Sequence, residues 1–402
     1  MLTAAQVTKR TGERDEPIIG LPPRPAEKLP PLPPQPLVSI VVPCRNPGSM
    51  LDLALHSLFM QDYPALEIIV VDAASTDGTP RRLQQISRPG FRFLSEPDKG
   101  QADALDKGFA LAKGEILAWL NADDCLLPHA VSTWVALLQH QSAPALVYGG
   151  CFEWFADVGW MVPAPWIIPP DYQILRDRSD YIMQPAAAFR ADAYHKVGGI
   201  NPDLHYTMDW DLWLSLAESW PCGYREQVLA ANRVHEATKT NTGGLARIRE
   251  IRQVGRRHGR SRFSSANHRY SLVELSTRSA AVGWLRSGYR NLRSRVKNDN
   301  NPADLARLPD KTVRNLPLDR PRTLWTINHP NADRLEIQIQ GEPFGRYTVR
   351  VDGRPCEVER RGDSYVADVP REQAICRRLD LPEMRGIRLL RVRLSTDAEL
   401  NV

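Results

Sequence analysis

Residues 37–72 read LVSIVVPCRNPGSMLDLALHSLFMQDYPALEIIVVD. Two continuous apolar, β-branched runs, LVSIVVP (37–43) and LEIIVVD (66–72), bracket a stretch in which Leu51, Leu55, Leu58 and Phe59 recur at helical spacing. Unbroken apolar runs belong to strands buried on both faces, whereas half-solvated strands alternate. Strand, helix and strand of this kind make a βαβ unit with parallel strands and a right-handed crossover. The pattern continues outward. STDGT (75–79) leads into a helix around Pro80–Ile86, FRFLSE (91–96) is a third strand, and QADALDKGFALAKG (101–114) is a helix closed by Gly114. The fold class is therefore α/β, with a mostly parallel central sheet.

The next strand, Ile116–Leu120, runs straight into Asn121, Ala122, Asp123 and Asp124. Carboxylates at the end of a buried strand are costly unless a positive group opposes them. Ligands of α/β sheets also collect at strand carboxyl ends. Hard oxygen donors at that spot suit Mg²⁺ or Mn²⁺ carrying a diphosphate. A solvated turn with Asp as the N-cap of the following helix is the competing reading. No GxGxxG follows the first strand and no GxxxxGK[ST] occurs, which argues against a dehydrogenase or a P-loop ATPase.

The 402 residues have room for two domains, or one with appendages. Residues 1–36 carry nine prolines between Pro17 and Pro36 and are expected to form a disordered, proline-rich leader. The α/β domain is expected over 37–240, followed by a basic helical extension over 241–300. There Leu272, Leu275, Val282, Leu285, Tyr289, Leu292 and Val296 recur opposite Arg278, Arg286, Arg290, Arg293, Arg295 and Lys297. Such a helix either packs on the main domain or meets an anionic membrane through 247–297. Alternation in LEIQIQG, RYTVRVDG, SYVADV and RLLRVRLS predicts a small antiparallel β domain of the sandwich type over 320–402. The formal charge of +5 is modest, and the basic run lacks the aromatics of a nucleic-acid surface. Six cysteines without a CxxC pair point to free thiols in a reducing compartment. With no run of eighteen apolar residues and no signal-peptide core, a cytoplasmic protein is expected.

Taken in order, VSIVVPCRN, EIIVVDAASTDGT, EPDKGQADALDKG, GEILAWLNADD, QPAAAFR, GGINPDLHYTMDWDLWL and RVHEATKT resemble glycosyltransferase family 2 over roughly residues 37–240. Seven blocks in sequence are far more specific than any one of them. The resemblance implies the GT-A fold and inverting transfer of a sugar from a nucleotide-sugar donor. The chain shows neither the QxxRW motif nor the membrane helices of the processive relatives, so one sugar per event is expected.

By that resemblance Pro43 and Asn46 touch the donor nucleoside, and Asp72 hydrogen-bonds its base. The acid that usually follows is replaced here by Ala73. Gln101 and Asp103, after Gly100, fall where relatives contact ribose or donor sugar; Lys99 and Lys239 are candidates for the diphosphate, and Asp106 is structural. The family's DxD motif has become Asn121-Ala122-Asp123, which leaves Asp123 as metal ligand for Mg²⁺ or Mn²⁺ and Asn121 for a ribose hydroxyl. Asp209 matches the general base that takes the acceptor hydroxyl's proton. Asp211 is the rival base, better suited to a helix N-terminal charge role. Gln184 and Pro185 fall where an acceptor pocket is lined, and His235 resembles a histidine on the donor-capping loop, a second metal ligand. Among the tryptophans, mostly core residues, Trp154 and Trp210 are the two that could stack on a sugar. The acceptor implied is a glycan or a lipid-linked glycan of bacterial surface polysaccharide synthesis, met at the inner membrane face. A non-catalytic carbohydrate-binding protein on a decayed transferase fold is the alternative, made thinkable by Ala73 and Asn121.

Overall fold

The computed structural model describes residues 16–234, 243–278, 316–318, 322–327, 334–340, 348–361, 364–369, 376–382, 384 and 388–395. Contacts divide the chain into two units, the first made of residues 1–151, 166–230 and 236–298, the second of 152–165, 231–235 and 299–402.

In chain order the first unit contains β1 (Ile18–Gly20), β2 (Val38–Cys44), α1 (Met50–Phe59), β3 (Leu66–Asp72), α2 (Thr79–Gln84), β4 (Phe91–Ser95), α3 (Gln101–Leu111), β5 (Ile116–Trp119), β6 (Cys125–Leu126) and α4 (Ala130–Leu138). After the start of β7 (Leu146–Phe155), the chain passes through β8 (Trp160–Pro163) of the second unit. It then adds α5 (Tyr172–Asp177), β9 (Ala187–Arg190), α6 (Ala191–Lys196), α7 (Met208–Ser219), most of β10 (Cys222–Arg233), α8 (Gly244–Arg257) and α9 (Ser265–Arg278).

Strand order is β4-β3-β2-β5-β9-β7. The first four are parallel, and β9 joins antiparallel between β5 and β7. The α/β expectation with a mostly parallel centre is met. β2 is buried at all seven positions and β5 at all four, as two covered faces require. The side chains divide with period two. Val41, Ile69, Val71, Leu117 and Trp119 join Leu105 and Phe109 of α3 and Trp213 of α7 in one core. Ile40, Val42, Ile68, Val70, Ile116 and Ala118 join Leu51, Leu55 and Leu58 of α1 and Trp134 of α4 in the other. Gly108 lets α3 lie against β2, since a Cβ there would stand 2.3 Å from Val41 Cγ1. The chain runs outward from β2 to β3 and β4, then returns to place β5 on the opposite side of β2. The β2–β5 boundary is therefore the sheet's switch point, where open α/β folds bind ligands.

Residues 16–36 depart from the disordered leader expected of them. Ile18, Ile19 and Gly20 pair with Tyr224, Gly223 and Cys222. Prolines lack the N–H but keep the carbonyl, and body side chains use it: Arg190 Nη2 donates to Pro30 O at 2.6 Å, Gln139 Nε2 to Pro33 O at 2.8 Å and Tyr63 Oη to Pro36 O at 2.7 Å. Leu29 is buried in the first core. An extended segment needs no core of its own when the body supplies donors and a pocket.

The basic region is helical in α8 and the described part of α9, and α8 packs through Ile248, Ile251 and Val254. Arg286, Arg290 and Arg293 lie outside the described residues. In the second unit β8 pairs with the end of β7 and with β12 (Arg322–Ile327). Strands β12, β18 (Cys376–Leu381), β14 (Thr348–Val351) and β15 (Arg354–Glu357) continue one sheet. The other is β11 (Leu316–Pro317), β19 (Arg388–Ser395), β13 (Arg334–Gln340), β17 (Ser364–Asp368) and β16 (Glu359–Arg361). All these pairs are antiparallel. Leu324, Leu335, Val351, Leu379, Leu389 and Val392 share their core. All six cysteines are free, five of them buried. No helix among the described residues is long and apolar enough to cross a membrane.

Candidate functional site

The ends of β2, β3 and β5 meet at the switch point. Pro43 is buried within β2, and Asn46 follows on the surface with φ of 47°, a left-handed conformation that Asn tolerates better than most residues. Its N–H donates to Ser75 Oγ at 2.7 Å, and its Oδ1 accepts from Thr76 N–H at 2.7 Å. The two loops are laced again where Gly48 N–H donates to Asp77 at 2.9 Å. Hydrogen bonds from the Thr79 side chain and the Gly48 N–H hold the Asp77 carboxyl below the usual carboxylate range.

Asp72 is fully buried. Its Oδ2 accepts from Ser75 N–H at 3.0 Å and Ser95 Oγ at 2.6 Å, and Cys44 Sγ lies 3.6 Å from Oδ1. Burial, then the Asp72 charge, push the Cys44 thiol far up. In this arrangement Asp72 fixes the turn that Asn46 grips.

A second network crosses from α3 to β5. Gln101 Nε2 donates to Asn121 Oδ1 at 2.6 Å. Asn121 Nδ2 donates to Asp124 Oδ2 at 3.1 Å and Gln184 Oε1 at 3.2 Å, and Gln184 Nε2 donates to Trp119 O at 2.6 Å. Asp124 is 2% exposed, so a neighbour that donates suits it better than a second carboxylate. That accounts physically for asparagine where the family pattern has an acid. Asp123 stays partly exposed in the turn after β5, and its carboxylate is of the hard oxygen type that could hold a divalent cation. Its partner in the sequence reading, His235, lies outside the described residues, as does Lys239. Among the described residues no three His, Cys, Asp or Glu side chains gather as a metal cage.

Asp103 accepts from Lys99 N–H at 3.1 Å and lies 3.3 Å from Lys107 Nζ. The backbone bond first, then Lys107, lower its pKa. Lys107 also reaches Glu96 at 2.9 Å, so this edge is a small exposed ion network.

Asp209 and Asp211 lie in the first turn of α7 with different surroundings. Asp211 is 2% exposed and takes Arg257 Nη1 at 2.7 Å and His258 Nε2 at 2.9 Å. Asp209 is only partly buried. Trp213, one turn on from Asp209, stacks on Trp119 at the end of β5 with centroids 5.4 Å apart. The turn before α7 approaches α3, since a Cβ on Gly100 would lie 3.9 Å from His205 Nδ1. Helix α7 thereby reaches the end of β5 through Trp213, and the turn before it reaches the start of α3 through His205. Trp154 and Trp210 are 7% and 2% exposed, which places both in the core rather than on a sugar.

Two residues absent from the sequence reading belong to the surroundings of Asp209. Burial, then the Asp209 charge, push the Asp180 carboxyl well above the usual range, against the pull of the Ile182 N–H, Arg247 and Arg260. Glu250 of α8 accepts from His205 N–H at 3.0 Å, Tyr206 N–H at 2.6 Å and Thr207 Oγ1 at 3.3 Å. The motif DYIMQP held a signal for Asp180, four residues before Gln184; Glu250 had none, because its partners are over forty residues away in the chain.

Residues 39–198 match the family model of glycosyl transferase family 2. Over these residues, about two fifths of the chain, the α/β domain is similar to glycosyltransferase family 2. Asp209, α8 and the second unit lie beyond the matched residues. A glycosyltransferase of Rickettsia typhi, itself described as uncharacterized, is 27% identical over 217 residues, covering 52% of this chain and 67% of that protein. The chondroitin synthase of Escherichia coli is 26% identical over 221 residues, 51% of this chain but 30% of the synthase. A mannosyltransferase structure from Pyrobaculum calidifontis, in complex with GDP-Man and Mn²⁺, superposes with a TM-score of 0.46 at 21% identity, covering 71% of this chain and 82% of that one.

Proposed function

We propose that the protein is an inverting hexosyltransferase that moves one sugar from a nucleotide-sugar donor to a hydroxyl of a glycan or lipid-linked acceptor. The observation that carries this reading is the separation of Asp209 from Asp211: Asp211 is buried and paired with Arg257, while Asp209 is partly exposed in the same turn of α7, whose Trp213 stacks on Trp119 at the end of β5. The nucleoside lies over Asn46 and the Ser75–Thr76 turn, which Asp72 holds from beneath. Gln101, Asp103 and Asn121 face the ribose and sugar. Asp209 accepts the proton of the acceptor hydroxyl as that oxygen bonds to the anomeric carbon, and the bond from that carbon to the diphosphate breaks on the opposite face. Asp123, with His235 as a further ligand, would hold a Mg²⁺ or Mn²⁺ ion, which would supply charge neutralisation for the leaving diphosphate. Gln184 and Pro185 border the acceptor.

The setting proposed is bacterial cell-surface polysaccharide synthesis on the cytoplasmic side of the membrane, with peripheral contact through residues 247–297. Arg249, Arg252 and Arg256 form an exposed stripe on α8; Leu245 in its first turn is 51% exposed, and Phe263, six residues past its last, is 72% exposed. Basic side chains flanked by apolar ones suit an anionic bilayer.

A thermal-shift panel of UDP-, GDP-, dTDP- and CMP-sugars, each with and without Mn²⁺, tests donor use. A ligand at about 100 times its Kd adds ~2.7 kcal/mol to stability. Stabilisation by one nucleotide class, dependent on metal, is the expected result. Stabilisation by none would favour the carbohydrate-binding alternative.

A further inference from the structure

We propose that Glu250, on a helix beyond the family match, is a positioning residue that sets the base Asp209 and ties it to the donor side of the site. This rests on the transferase reading above. One carboxylate takes three donors from three successive residues, the N–H groups of His205 and Tyr206 and the hydroxyl of Thr207. Thr207 is the N-cap of α7, and Asp209 stands two residues later. The Thr207 side chain makes no capping bond to the helix, so the orientation of the entry turn is left to contacts from outside. Glu250 supplies them.

The same helix grips α7 a second time. Arg257 and His258, two turns beyond Glu250, hold Asp211 from the other side. Seven residues of helix span about 10 Å, so the two anchors bracket Asp209. The helix start is also fitted closely to the turn, because a Cβ on Gly243 would stand 3.0 Å from the Tyr206 ring and 2.8 Å from Arg247 Cβ. Arg247, one turn before Glu250, contributes its charge around Asp180, the acid that senses Asp209.

The held turn faces the donor as well. His205 lies at Gly100, immediately before Gln101, and Gln101 bonds Asn121. Releasing Glu250 therefore loosens the base and its distance to the donor-contacting residues together, while the Asn46 and Asp72 loops stay laced. The binding of nucleotide is expected to survive and the reactive geometry to be lost. Misplacement of a reacting group by 1 Å costs on the order of 100-fold in rate.

The test compares Glu250→Ala and Glu250→Gln with wild type in the full chain. Expected for Glu250→Ala are a kcat lowered about 100-fold, a donor KM within twofold of wild type, and faster amide exchange at His205 and Tyr206 with β2 and β3 unchanged. Glu250→Gln, which keeps an acceptor oxygen, recovers part of kcat. A folded Glu250→Ala variant with wild-type kcat, or with unchanged exchange at 205 and 206, overturns the proposal. If the wild type itself transfers no sugar, the functional reading fails, and the exchange measurement still decides whether Glu250 holds the turn.

Discussion

Asp211 Oδ2 accepts a hydrogen bond from Arg257 Nη1 at 2.7 Å, joining the first turn of α7 to the end of α8 across 46 residues of chain. The carboxylate is 3% exposed and the guanidinium 48%. Removing the buried carboxylate takes the hydrogen-bond partner from buried His258 and the counter-ion from Arg257, so Asp211→Ala is expected to cost about 3 kcal/mol. Arg257→Ala, at a half-exposed group, should cost about 1 kcal/mol. Urea midpoints at unchanged m-value measure both.

Asn121→Asp would set a second carboxylate within hydrogen-bond reach of buried Asp124. One of the two must then hold a proton, so the folded state binds protons more tightly than the unfolded one. Stability therefore falls as pH rises, and the variant should lose about 2 kcal/mol at pH 8 and recover much of it near pH 5. Thermal melts across that range check the slope against wild type.

The strands and helices from Leu37 to Leu120 were legible because apolar runs and helical periodicity report burial directly, residue by residue. The site's loops were less so. The resemblance gives Asp72 as a contact of the donor base, yet it is fully buried, with Ser75 from the following loop and Ser95 at the end of β4 bonded to it. The proline-rich segment reads as coreless, and what orders residues 16–36 is donors on Tyr63, Gln139 and Arg190, none of them nearby in sequence. Glu250 escaped for the same reason: no local pattern records a contact between distant segments.

Asp180 gives a second pH dependence. Its folded pKa is raised, so stability declines as pH climbs from the ordinary carboxylate range toward the raised value. Asp180→Asn removes that titration. Its melting temperature should vary less with pH between 5 and 8 than that of wild type, while Asp209, Arg247 and Arg260 remain in place.

Membrane contact through α8 predicts that the full chain sediments with vesicles of phosphatidylcholine and phosphatidylglycerol but not with phosphatidylcholine alone. Arg249→Glu, Arg252→Glu and Arg256→Glu together should abolish sedimentation. Phe263→Ser should weaken it about tenfold through lost apolar burial. Sedimentation that is indifferent to both changes would contradict the assignment.

Asp209→Asn tests the central claim most directly. Sugar transfer and donor affinity are measured on the same preparation, with the donor identified by the thermal-shift panel. A general base contributes ~10²–10⁴-fold, so kcat should fall by that factor while donor binding holds. A variant that transfers sugar at the wild-type rate would remove Asp209 from the mechanism and with it the reading of this site.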